Sequence, residues 1–227
     1  MPIETTTTVE QLATSSALAA RYLCRVGIDS LRQGGLSLTE ACEAQGLKTE
    51  LVVQGLEALK PVVMKDWMRA TLPELVHHII HHHHAFTREE LARLAPVLDR
   101  ALAEPGPAQA TLARVKVHFT ALTKDLVEHF QMEERNLFPA ICSAENGGIT
   151  PISLSTPTEQ ARTIFAEHQA AEELFHNIRI LTSDYEVPGG AGPEVRAFYL
   201  GLRNLEDDLH LHLFLENHIL FPRALPH

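Results

Sequence analysis

The chain has 227 residues, with 19 Lys and Arg against 29 Asp and Glu, and a formal net charge of −10. That balance excludes nucleic acid and anionic membrane as main partners, since both require clustered cations. No apolar run approaches the roughly 20 residues that span a bilayer. Cys24, Cys42 and Cys142 are widely spaced and form no CxxC pair, which points to reduced thiols and against a disulfide frame or a structural zinc site. The opening "MPIETTTTVEQ" has neither the charged nor the apolar region of a secretory signal, so a cytoplasmic location is expected. The unusual enrichment is histidine, with 14 residues.

Helix signals dominate from the start. "TVEQLATSSALAARYLCRVG" reads as one helix ending near Gly27. "SLTEACEAQG" opens on a capping box, Ser37 with Glu40, and stops at Gly46. A third short helix is expected from about Thr49 to Lys60, before Pro61. These make a small N-terminal helical domain over residues 1–65, and "KPVVMKDWMRA" connects it to a second domain over residues 66–227.

Four longer helices follow. The first is capped by Thr71 with Glu74, tolerates Pro73 in its first turn and stops at "EPGP". The second runs from about Pro107 to Phe138 and ends at Pro139, before the loop "AENGGITPISLS". The third opens on Thr156, Pro157 and Glu159 and is broken by "YEVPGGAGP"; the fourth runs from about Pro193 to Leu220, before Pro222. Four long amphipathic helices with modest loops predict an all-α, up-down-up-down four-helix bundle, whose sites are built in the core from facing helices.

The second and fourth helices repeat each other. "DLVEHFQMEERNLFPAI" from Asp125 and "DLHLHLFLENHILFPRA" from Asp208 share D-L-x-x-H-x-x-x-E-x-x-x-L-F-P at an offset of 83 residues. His and Glu four apart lie one above the other on a helical face. That face is inward, because Leu122 and Leu126 flank His129 as Leu205 and Leu209 flank His212. Such polar groups on a buried stripe are costly unless something satisfies them, and a metal does so.

A duplicated helix pair asks each preceding helix for a partner. The third helix supplies His168, on a face marked by Ile164, Ala171, Phe175 and Ile178, 44 residues before His212. The same count back from His129 reaches Ala85 or, one residue further, His84, at the end of "LVHHIIHHHHAF". At about 100° per residue His84 stays near the stripe of Ile80, Leu91 and Leu98, His83 is a borderline competitor and His82 points away. His77, His78, His81, His82 and His83 then read as surface or rim residues.

The candidate metal ligands are therefore His84, His129, Glu133, His168, His212 and Glu216. Two carboxylates can each bridge two metals while four imidazoles divide two and two, and this set without thiolate suits iron, manganese or zinc. Asp125 and Asp208 also repeat, placed either to orient the ligand rings or to stand as surface acids. His118 reads as a core or channel histidine.

On these residues the chain resembles the hemerythrin-like proteins, and more closely the RIC (repair of iron centres) family. "HFQMEERNLFP", "AEH", "LENHILFPRA" and "ITPIS" match its metal domain in order and spacing, and "GIDS…GGLSLTEACEAQGL" its small N-terminal domain. The resemblance implies ligands at the same six positions and a non-haem di-iron centre with carboxylate and oxo bridges. It also implies a role in nitrosative and oxidative stress, including nitric oxide chemistry and repair of damaged iron–sulfur clusters. One departure stands out: the family places adjacent cysteines before its paired glycines, whereas Gly34 and Gly35 here follow "SLRQ".

That departure favours a nitric-oxide-binding or NO-reducing di-iron protein of the kind associated with denitrifying bacteria. Repair of iron–sulfur clusters, or iron donation to them, is the alternative, and hemerythrin-like O₂ binding or sensing a further one. Nitric oxide or O₂ is the expected small ligand, damaged iron–sulfur proteins the expected macromolecular partner. The N-terminal domain is expected to dock on the bundle or in a homodimer through Leu51, Val52, Leu56 and Leu59.

Overall fold

Two capping boxes mark where helices begin. In each, a hydroxyl accepts the backbone N–H three residues on, and the glutamate there accepts the N–H of the cap. The distances are 3.3 and 2.8 Å for Ser37 with Glu40, and 3.3 and 3.0 Å for Thr71 with Glu74. Both satisfy N–H groups that a helix start leaves without a partner. The computed structural model describes residues 3–15, 17–28, 30, 32–59, 67–145 and 157–224. The Thr156 cap, most of the "AENGGITPISLS" loop, "ITPIS", and the expected boundary at 65/66 lie outside them. Among the described residues there is no strand, only an isolated antiparallel bridge between Thr8 and Ser37, and no helix is long and apolar enough to cross a membrane.

Two compact units emerge: residues 1–69 with 210–219, and residues 70–209 with 220–227. In the first, the helix expected at the N-terminus is described as α1 (Val9–Ser15) and α2 (Ala17–Arg25), with residue 16 outside the described residues. They are followed by α3 (Leu38–Ala44) and α4 (Thr49–Glu57). Gly27 and Gly46, with φ of 89° and 66°, take the left-handed conformation that ends α2 and α3. Val9, Leu12, Leu23, Ile28, Leu38, Cys42, Val52 and Leu56 form this unit's own core. Val52 and Leu56 are thus used internally, at 3% and 5% exposure, whereas Leu51 is 59% exposed.

Four long helical runs follow, all in the second unit but for residues 210–219 of the last. The first run is α5 (Leu72–His78), a π-helical turn at Ile79–His84, and α6 (Ala85–Ala103). The second is α7 (Gln109–Met132), a π turn at Glu133–Leu137, and α8 (Phe138–Glu145). The third is α9 (Pro157–Thr182). The fourth is α10 (Pro193–Leu215), a π turn at Glu216–Leu220, and α11 (Phe221–Ala224). Its backbone runs unbroken through residue 210, so the helix itself ties residues 210–219 to the turns before them. Leu91, Leu94 and Leu98 of α6, Leu122 and Leu126 of α7, Ile164, Phe175 and Ile178 of α9, and Leu202, Leu205 and Leu209 of α10 are all buried. A Cβ at Gly201 would run into the Leu94 side chain, so glycine permits the close approach of α10 to α6.

The π turns correct two expected helix ends. Pro139 and Pro222 do not stop their helices, which continue to Glu145 and Ala224. Each proline is the second residue of the α segment that follows a π turn. There the missing N–H costs little, and the wide turn displaces the carbonyl its ring would meet.

Far from the π turns, α9 ends in three consecutive non-glycine residues with positive φ: Ser183, Asp184 and Tyr185, at 51°, 58° and 61°. Such backbone costs on the order of 1–3 kcal/mol per residue and persists only where its surroundings hold it. Here Thr182 Oγ1 accepts the Tyr185 N–H at 3.1 Å, and the Tyr185 hydroxyl donates to Glu206 at 2.9 Å. Arg179 pairs with the same carboxylate at 3.1 Å. Burial, with the Glu206 charge and bond adding to it, pushes the Tyr185 phenol far above its usual range.

Candidate metal centre

The His-x-x-x-Glu spacing places each pair on one face, and a π turn begins at each glutamate. The Glu133 N–H still donates to the His129 carbonyl, one α turn back. The Phe138 N–H instead reaches the Glu133 carbonyl, five residues back. In the first run the Ala85 N–H reaches Ile80 in the same way. That extra residue corrects the periodic reading of the histidine run. The buried residues there are Ile79, His83, His84 and Thr87, while Ile80 is only half-buried.

The structure brings the six sequence-derived candidates together. His84, Glu133, His212 and Glu216 are 0% exposed, His168 1% and His129 6%. Their donor atoms fall into two overlapping quartets: His84, Glu133, His212 and Glu216, and His129, Glu133, His168 and Glu216. Within each quartet all four lie within 4.8 Å of one another. Both glutamates are shared. Glu133 Oε2 is 3.4 Å from Nε2 of His84 and 3.4 Å from Nε2 of His129, one ring from each quartet. His129 and His168 face each other Nε2 to Nε2 at 3.0 Å, and His212 Nε2 lies 2.8 Å from Glu216 Oε1.

Carboxylates hold the far side of two rings. Glu134 Oε1 accepts from His84 Nδ1 at 2.8 Å, and Glu167 Oε2 from His129 Nδ1 at 2.6 Å. An ionised carboxylate only accepts, so Nδ1 carries the proton in both, and Nε2 keeps its lone pair turned toward the quartet. Burial alone would raise the Glu134 carboxyl, but hydrogen bonds from Arg88, at 2.9 Å, and His84 outweigh it and hold it below the ordinary range. For Glu167 the bond from His129 is the largest influence, and it lowers the carboxyl against the opposing effect of burial. Both stay ionised and keep their grip on the rings. The phenylalanines of the repeated L-F-P stack on the remaining faces: Phe138 on His84 at 5.7 Å and Phe221 on His168 at 6.3 Å.

Sequence reasoning missed Glu134, Glu167 and Arg88. The available signal was adjacency: each acid sits beside a candidate ligand, in "EERN" and "AEHQ". The repeated aspartates do not take this role. Asp208 bonds His83 Nδ1 at 3.1 Å, and Asp125 is about half exposed, 4.0 Å from Lys124. His83 itself is 7% exposed and no rim residue. His77, His81 and His82 are exposed, and half-buried His118 belongs to neither quartet.

Two buried carboxylates with no Lys or Arg among the quartets demand positive charge from elsewhere. The donor set fits cations for that purpose. Four imidazoles and two carboxylates without sulfur suit iron among the first-row metals.

Comparison with known proteins agrees. The family described as Hemerythrin HHE cation binding domain matches residues 75–224. The iron-sulfur cluster repair protein YtfE of Cronobacter sakazakii is 31% identical over 220 residues, covering 95% of this chain and 94% of that protein. The protein of the same description from Escherichia coli O157:H7 is 32% identical over 220 residues, with the same coverage. The one from an Enterobacter species is 33% identical over 195 residues, covering 82% and 83%.

Proposed function

We propose a function on one established premise: the chain belongs to the hemerythrin HHE family and, within it, to the RIC, or repair of iron centres, group. The proposed function is service to damaged iron–sulfur clusters by a protein that carries two irons in its bundle. The observation that carries it is the pair of quartets sharing Glu133 and Glu216, in a chain aligned over 95% of its length with proteins named for iron–sulfur cluster repair. In this reading His84 and His212 hold one iron, His129 and His168 the other, and the two glutamates reach both. Each quartet supplies four donors, and an iron pair so held offers exchangeable positions to a small ligand and can be surrendered to an acceptor. Glu134 and Glu167 keep His84 and His129 aimed inward and basic. Arg88 fixes Glu134 in turn. Cys24, Cys42 and Cys142, none of them in a disulfide, fit work in a reducing cytoplasm.

A second reading, binding or reduction of nitric oxide at the same irons, is favoured by one observation. No cysteine directly precedes Gly34 and Gly35, and Cys42 is wholly buried, its thiol pushed up by burial. A thiol so placed is a poor nucleophile for cluster transfer or disulfide exchange.

The deciding experiment uses iron-loaded, full-length chain, prepared anaerobically and mixed with a hydratase whose iron–sulfur cluster has been damaged by peroxide. Recovery of hydratase activity with matching loss of iron from this chain is the expected result. No recovery, together with a ferrous nitrosyl spectrum on titration with NO, would overturn repair in favour of the second reading.

A further inference from the structure

The histidine run leaves five rings outside the buried quartets, and four of them stand in pairs. His77 and His81, four residues apart, have ring centroids 4.1 Å apart, and His78 and His82 4.4 Å apart. His77, His81 and His82 are exposed and His78 is half-buried. Two histidines at this spacing on one helical face are a metal-binding arrangement in their own right. Ring centroids this close let a small side-chain rotation bring one nitrogen of each ring to a single first-row ion, whose metal–nitrogen bonds are about 2.0–2.1 Å.

The wall behind the pairs is built in the same style as the buried centre. The π turn at Ile79–His84 brings His83 alongside His78 as well, with centroids 5.2 Å apart. His83 Nδ1 is held by both oxygens of Asp208 at 3.1 Å. That is the carboxylate-on-Nδ1 pattern seen at His84 and His129.

We propose that the His77/His81 and His78/His82 pairs form a second metal site, exposed and exchangeable, for a borderline divalent cation such as Ni²⁺, Zn²⁺ or Fe²⁺. Imidazole is the ligand type such ions share. Two rings per pair leave the remaining positions to water, so the site exchanges its ion more readily than the buried quartets do.

The test is equilibrium dialysis of iron-loaded, full-length protein against Ni²⁺, with nickel and iron both measured. Wild type takes up Ni²⁺ beyond its iron. The variant with His77, His78, His81 and His82 all changed to Asn loses that uptake and keeps the iron. Changing only the exposed pair, His77→Asn with His81→Asn, lowers the uptake and leaves half-buried His78 in place. His118→Asn, outside the run, leaves it intact. Uptake by the fourfold variant equal to that of wild type overturns the proposal, as does a wild type that takes up no Ni²⁺ once its iron is in place.

Discussion

The first half of the bundle contributes His84, His129 and Glu133, the second His168, His212 and Glu216, and the two halves differ in what stands behind these residues. In the first, carboxylates grip the far nitrogens of both rings, Glu134 on His84 and Glu167 on His129. The residues at the matching places in the repeat are Asn217 for Glu134 and His83 for Glu167, and His83 turns to Asp208. A duplicated helix pair has thus kept its inward residues and changed their neighbours. Each quartet nevertheless takes one ring from each half, His84 with His212 and His129 with His168. Each quartet therefore receives a first-half imidazole with a carboxylate on its far nitrogen, so the halves are crossed in the quartets and not kept apart.

The largest expected effect tests the sharing. On the proposed two-iron reading, Glu133→Gln and Glu216→Gln should each abolish binding at both positions, and to the same extent, because each serves both quartets. Iron per chain after anaerobic loading measures this, with circular dichroism to establish that the helices persist. A variant that still holds a full complement would show that its glutamate is not shared.

Next come the rings. His84→Ala and His168→Ala should each empty one position, leaving about one iron per chain if both quartets fill, whereas His82→Ala should leave iron content unchanged. An equal loss from all three would dissolve the distinction between buried and exposed histidines in the run.

The sharpest probe of the inequality is smaller. Glu134→Gln and Glu167→Gln should weaken iron affinity about 10–100-fold, the usual cost of removing a carboxylate behind a ligand ring. Asn217→Ala should cost less than either. Competition with a chelator reads the difference, and equal losses would mean the halves are equivalent after all. The smallest effect belongs to Asp208→Asn. It breaks a carboxylate–imidazole bond of the same kind, but on His83, outside both quartets, so iron affinity should not move.

The all-helical architecture and the six converging residues were legible because each rests on repetition. Leu122, Leu126, Leu205 and Leu209 announce inward faces, and a histidine aligned with them inherits their direction. The backing acids were not legible by that route. Glu134 and Glu167 lie one residue off the inward stripe and have no acidic counterpart in the repeat. The wide turns escaped as well, since a period of about 3.6 residues is assumed in reading any helical face. That is why Ile80 was expected where Ile79 is buried, and why Pro139 and Pro222 looked like stops.

The wide turns also set the phase of everything beyond them. Each holds one residue more than regular winding accommodates, so the side chains that follow are turned by about 100° relative to an uninterrupted helix. Those at Glu133–Leu137 and Glu216–Leu220 begin on the shared glutamates and fall at matching places in the repeat. The third, at Ile79–His84, has no equivalent in Pro157–Thr182. Phe138 and Phe221, the first residues beyond the two matching turns, stack on His84 and His168 in that shifted phase.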